Sequence, residues 1–257
     1  MKVTVVPCLA DNFAYLAFDE TTSTAVIVDP SEVEPIVHAL RELKLKPAAV
    51  LCTHHHGDHV GGVPGLMDAF PDIVVWAHEQ NSGRIAGLTN TIRGGEEIVC
   101  QSLRFRATHV PGHTLGDIAW CIEDAVFTGD TLFAGGCGRV FEGTPAMMYA
   151  SLDNLATLPR ETKIYCGHNY TLSNLRFAEH VEPSNTRISE RRSNIESAQS
   201  QGFAPKPTTI GEELLTNPFL RCTQPEVVQF AQRRDGSGLD PVSVFASIRA
   251  AKNQFRG

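Results

Sequence analysis

Between residues 54 and 59 the chain reads His-His-His-Gly-Asp-His, and few folds can use four histidines and an aspartate in six positions. The apolar run Ala48–Cys52 leads straight into it and is predicted to be a strand that ends at the cluster. In extended backbone alternate side chains share a face, so His54 and His56 point together and His55 points away. Gly57 then permits a turn that a bulkier residue resists, aiming Asp58 and His59 at a point beside the first.

Three further donors lie far off in sequence but in similar surroundings. His113 follows Pro111-Gly112 ahead of the expected strand Ile118–Ile122, Asp130 follows Gly129 after Ala125–Thr128, and His168 follows Gly167 after Lys163–Cys166. Strand ends let a rigid sheet hold distant side chains at one rim. Imidazole and carboxylate donors without thiolates suit zinc, iron or manganese.

Other short apolar runs predict strands at Val3–Val6, Ala14–Phe18, Ala25–Val28, Ile73–Trp76 and Leu103–Ala107, with helices near Glu32–Leu43 and Pro145–Leu158. After Tyr170 the character changes. Leu172–His180 and Ser184–Gln201 read as helices, no strand signal follows, and Gly202–Pro207 breaks the pattern. Thr223–Glu226 has the form of a capping box, and Asp240-Pro241 opens a last helix reaching about Phe255.

The 257 residues carry a net charge of -7. That removes the basic face a nucleic-acid partner requires and works against attraction to an anionic membrane. Seven cysteines occur singly, which reads as buried thiols in a reducing cytosol rather than a disulfide framework. Met1–Phe18 suits two early strands better than a leader, and no apolar run is long enough to span a bilayer. The expectation is a cytoplasmic, soluble monomer.

The His-x-His-x-Asp-His pattern resembles the signature of the metallo-β-lactamase superfamily. Matches at Thr53–Gly62, Pro111–Gly116, Phe127–Gly143, Tyr165–Tyr170, Asn217–Phe219 and Arg249–Phe255 resemble, within it, the glyoxalase II or hydroxyacylglutathione hydrolase family. The resemblance implies an α+β fold, with an αββα sandwich as catalytic domain over 1–170 and a helical substrate-binding domain over 171–257. It implies two divalent metal ions, one on His54, His56 and His113 and one on Asp58, His59 and His168. Asp130 bridges them, and Asp58 and Asp130 count as catalytic. The implied reaction is hydrolysis of S-D-lactoylglutathione to glutathione and D-lactate by a hydroxide shared between the ions, the second step of methylglyoxal detoxification. The implied glutathione contacts are Arg139, Phe141, Tyr170, Arg249 and Lys252.

The last helix supports two of these independently. At about 100° per residue, Val244, Ile248, Ala251 and Phe255 form an apolar arc; Lys252 falls between Ile248 and Phe245, and Arg249 at its edge. Cations there face the protein. Their bland reading is snorkelling stems. Three positions depart from the family pattern: Phe141 where tyrosine is frequent, Arg139 where lysine is, and Asp117 where a histidine is. A lactonase or β-lactamase would share the metal donors without needing Arg249 and Lys252, and a mono-iron persulfide dioxygenase is a rival of another reaction class. His38, His55, His78, His109 and His180 read as exposed or structural, and Trp76 and Trp120 as core.

Overall fold

The computed structural model describes residues 1–201 and 207–256. It opens with strands β1 (Lys2–Cys8), β2 (Asn12–Asp19) and β3 (Thr24–Val28), helix α1 (Glu34–Glu42) and strand β4 (Lys46–Leu51). Every residue of β3 is buried. Ala25 and Ile27 face a core shared with Ile36 and Leu40 of α1, whereas Val26 and Val28 face another. Successive strand side chains point to opposite faces, so such a strand lies in a sheet covered on both sides. Short helices α2 (Gly57–Val60) and α3 (Val63–Ala69), then β5 (Val74–His78) and β6 (Asn90–Ile92), complete this half. Its sheet runs in order from β1 to β6, antiparallel through β3 and parallel thereafter.

Then come β7 (Glu97–Cys100), β8 (Leu103–His109), β9 (Ile118–Ile122), β10 (Ala125–Gly129), a small hairpin of β11 (Leu132–Phe133) and β12 (Gly136–Cys137), α4 (Pro145–Ala156) and β13 (Lys163–Cys166). With β14 (Thr208–Thr209), the second sheet has the order β14-β13-β10-β9-β8-β7. In β10, Ala125 and Phe127 join Phe105, Trp120 and Val26 between the sheets, and Val126 faces outward onto Met148 and Leu152 of α4. The layers are therefore helix, sheet, sheet, helix.

Helices α5 (Thr171–Val181), α6 (Thr186–Ser200), α7 (Ile210–Thr216), α8 (Pro225–Asp235) and α9 (Pro241–Gln254) fill the rest. Phe177 of α5, Val227 of α8 and Val244, Phe245 and Ile248 of α9 enter the same outer core as Val126 and Met148. A buried polar knot fixes the hairpin beneath them. Glu213 accepts from Arg191 Nη2 at 2.6 Å, Gly135 N at 2.8 Å and Asn217 Nδ2 at 2.9 Å, and Asn217 also donates to the carbonyls of Phe133 and Gly136.

Several expectations differ from what forms. The sequence predicts no strand after Tyr170, yet Thr208–Thr209 pairs antiparallel with β13; two residues are too few for alternation to register. The short β6, β7 and α7 escape the pattern in the same way. The capping box at Thr223–Glu226 does not form. Gln224 is the N-cap of α8 and makes no side-chain cap, and Glu226 accepts from Ser184 N and Oγ. Asp240 does cap α9, accepting from Ser243 N at 3.0 Å. The break expected at Gly202–Pro207 lies, apart from Pro207, outside the described residues. The seven cysteines are unpaired. Among the described residues no helix is long and apolar enough to cross a membrane.

Candidate metal centre

All seven strand-end donors meet at one rim of the sandwich. His54 Nε2 lies 3.1 Å from His56 Nδ1, and His113 Nε2 lies 3.0 Å from that same atom. Beside them, His168 Nε2 is 3.3 Å from both His59 Nε2 and Asp58 Oδ2. Asp130 lies between the groups: Oδ1 is 3.2 Å from His59 Nε2, and Oδ2 is 3.5 Å from His113 Nε2 and 3.4 Å from His168 Nε2. His55 turns away as its alternation requires, with Nδ1 3.1 Å from Asn81 Oδ1.

Glycine serves this rim differently from the sequence expectation. Gly57 has an ordinary φ and open space where a Cβ would be, so the turn into α2 does not depend on it. Gly167 is a position where a side chain would collide with the donors: a Cβ there would sit 2.4 Å from Asp130 Oδ1 and 2.5 Å from His59 Cε1.

The far nitrogens of the histidines fix what the near ones offer. His113 Nδ1 donates to the Arg139 carbonyl at 2.8 Å, and a carbonyl can only accept. His59 Nδ1 donates to Asp29 Oδ2 and His168 Nδ1 to Asp11 Oδ1, each at 3.0 Å. The Thr53 hydroxyl gives its proton to Asp29 Oδ2 at 2.7 Å, so it accepts from His54 Nδ1 at 3.0 Å. In neutral imidazoles these bonds leave four Nε2 lone pairs aimed inward at nitrogens and carboxylates they cannot bond. Asp130 Oδ1 is likewise buried without a hydrogen-bond partner among the described residues.

Burial presses the His59 imidazole down, but the Asp130 and Asp29 carboxylates outweigh it and hold it well above its usual value. His168, opposed by burial but bonded to Asp130 and Asp58, is pushed up to about 10. Burial would raise the Asp130 carboxyl, yet His59 and His168 hold it well below the usual range. Converging lone pairs, an orphaned carboxylate oxygen and a set of five imidazoles and two carboxylates fit a dinuclear site for divalent cations.

A cleft of about 550 Å³ opens over these donors, and its walls include all five residues expected to contact glutathione. The Tyr170 ring stacks on His168 with centroids 4.8 Å apart, and Phe141, 61% exposed, stands 5.2 Å from His113 and 5.9 Å from His56. Arg139 is exposed at the mouth. Arg249 is only 7% exposed: its Nη1 donates to the Cys137 carbonyl at 2.7 Å, and its Nε is buried without a partner among the described residues. Lys252 donates to Ser173 O and Oγ, and burial together with Arg249 lowers its ammonium to about 8.

Asp117 braces the His113 loop. It accepts from Thr114 N at 2.7 Å and Oγ1 at 2.6 Å, while burial raises its carboxyl to about 8. His78 stacks on His109 and donates to Arg93 O, His180 packs on Phe230 and Phe255, and His38 is exposed. Trp120 is fully buried between the sheets, and Trp76 packs against the same core. Sequence reasoning missed Asp11, Asn12, Asp29 and Thr53. Asp29 ends β3 as Asp130 ends β10 and so carries the same strand-end signal; Asp11, in a turn, carries none.

Residues 12–168 match the model of the metallo-beta-lactamase superfamily, and residues 169–255 that of the hydroxyacylglutathione hydrolase C-terminus. A hydroxyacylglutathione hydrolase of Alkalilimnicola ehrlichii is 45% identical over 98% of this chain and 99% of its own. One of Nitrosomonas europaea is 44% identical over 100% and 97%. Among solved structures, ETHE1 from Myxococcus xanthus superposes with a TM-score of 0.66 at 25% identity, covering 98% of each chain.

Proposed function

The chain belongs to the hydroxyacylglutathione hydrolase family of the metallo-β-lactamase superfamily, and from that premise we propose that it hydrolyses S-D-lactoylglutathione and related 2-hydroxyacylglutathiones. The products are glutathione and the hydroxy acid, D-lactate in the first case, which places the reaction second in methylglyoxal detoxification. The observation that carries this reading is a single cleft with metal donors and the cations Arg249 and Lys252 in its walls.

His54, His56 and His113 would hold one divalent ion and Asp58, His59 and His168 the other, with Asp130 available to both. When bound, such a pair supplies Lewis acidity and a water acidic enough to ionise near neutral pH. We assign zinc, with iron and manganese compatible with the same donors. The chain's own work is placement. Arg249 Nε and the Lys252 ammonium supply local positive charge for glutathione carboxylates in a molecule of net charge -7. Tyr170 packs the face of His168, and Phe141 walls the His56 and His113 side with a ring that has no hydroxyl. A thiolate whose parent thiol has a pKa of about 8.5 departs without prior protonation, so no residue is needed as a strong acid.

On this reading residues 1–170 carry the donors together with Arg139, Phe141 and Tyr170, and 171–257 supply Arg249 and Lys252. All seven donors come from one chain, so a monomer suffices. Unpaired cysteines are in keeping with a cytoplasmic setting. Thiol release from S-D-lactoylglutathione, measured beside a lactone and a β-lactam on protein of known metal content, tests the proposal. Fast thiol release with slow ring opening is expected; the opposite ranking, or full activity of metal-free protein, overturns it.

A further inference from the structure

The groups standing behind the two halves of the centre differ in charge. Behind His54 is the Thr53 hydroxyl at 3.0 Å, and behind His113 the Arg139 carbonyl at 2.8 Å, both neutral. Behind His59 is the Asp29 carboxylate and behind His168 the Asp11 carboxylate, each at 3.0 Å. The third donor of that half, Asp58, is itself an anion and is steadied by Asn12 Nδ2 at 3.0 Å. Setting aside the common Asp130, three carboxylates bear directly on the Asp58–His59–His168 half and none on the other. Glu142 approaches His55, and Asp117 bonds Thr114; neither hydrogen-bonds a donor.

A carboxylate behind an imidazole fixes its tautomer and raises its basicity, and a cation is held more firmly where more anions face it. Asp29 serves both halves, because it also accepts from Thr53 N and Oγ1. Asp11 serves one. It lies in the turn between β1 and β2, its side chain is 44% exposed, and it meets the centre through His168. Backbone bonds from Phe13 N to Gly167 O at 2.8 Å and from Asn169 N to Asp11 O at 2.9 Å strap this turn to the loop carrying His168.

We infer that the Asp58–His59–His168 half is the tighter of the two, keeping its divalent ion after the other half has lost its own, and that Asp11 is the positioning residue that sets this order. The inference rests on the dinuclear reading above. Full-length protein loaded with zinc, equilibrated against graded chelator and analysed for retained zinc, tests it. Release in two steps is expected. His113→Ala keeps one ion at the affinity of the tighter step, and His168→Ala keeps at most the weaker one. Asp11→Asn preserves the acceptor oxygen and the strap but removes the charge; it weakens the tighter step by roughly 10- to 100-fold and leaves the weaker step in place, and Asp11→Glu restores the separation. Simultaneous release, loss of the tighter step in His113→Ala, or an Asp11→Asn effect that is absent or equal on both steps overturns the inference alone. Fewer than two ions bound at saturating zinc overturns the dinuclear reading with it.

Discussion

Arg249 Nη1 donates to the carbonyl of Cys137 at 2.7 Å, two residues before the Arg139 carbonyl that takes the Nδ1 proton of His113. A residue expected from the sequence only to bind substrate therefore also braces a loop that orients a metal donor. Arg249→Ala strips a charged donor from this buried carbonyl, a loss of about 1.5–3 kcal/mol. It is expected to raise KM, lower kcat and reduce the metal content. Lys252→Ala, whose ammonium bonds Ser173 away from that loop, raises KM several-fold with metal and kcat intact. Steady-state kinetics with metal analysis separates the two; an Arg249→Ala protein with full metal and unchanged kcat removes the brace.

Lys252 gives a pH dependence. Its ammonium value is lowered to about 8, so it is charged below that pH and neutral above it. An anionic substrate then binds less well as pH rises through about 8, and kcat/KM, which reports groups of the free enzyme, falls there. Lys252→Arg keeps its charge across this range and moves the falling limb upward. An unmoved limb in that variant assigns it to another group.

Gly167→Ala places a methyl against Asp130 Oδ1 and His59 Cε1. Loss of bound metal is expected with secondary structure retained, read as metal per chain beside circular dichroism. Two ions per chain in the variant would show that the loop can yield.

The donors His54 and His56 were legible because spacing in extended backbone decides direction, Asp58 and His59 because they follow a turn at the end of that run, and His113, Asp130 and His168 because each stands beside a glycine near a strand end. The long strands were legible from apolar runs. What lay beyond reach was whatever depends on partners distant in sequence. Asp11 is 157 positions from His168, and Glu226 bonds Ser184, 42 positions away. The wheel of α9 indicated that Arg249 faces inward; it could not indicate the carbonyl waiting there.

Glu213 bears on stability. Removing it leaves the buried Arg191 guanidinium only a 3.7 Å approach to Glu212 and the hydroxyls of Thr208 and Thr216, and strips Gly135 N of its acceptor; breaking a buried pair typically costs about 3–5 kcal/mol. Denaturant unfolding of Glu213→Ala measures this. A loss below about 1 kcal/mol would mean that water reaches Arg191 and compensates.

Because α5, α8 and α9 share one apolar interior with the outward face of β10 and β13, neither portion of the chain can be lifted off cleanly. Cutting after Tyr170 would leave the outer core around Val126 and Ile164 with α4 alone to cover it and take away the side chain that secures Cys137. A shortened protein would be a sticky, ill-shaped remnant, so dissection of this enzyme is better done by point substitution than by truncation.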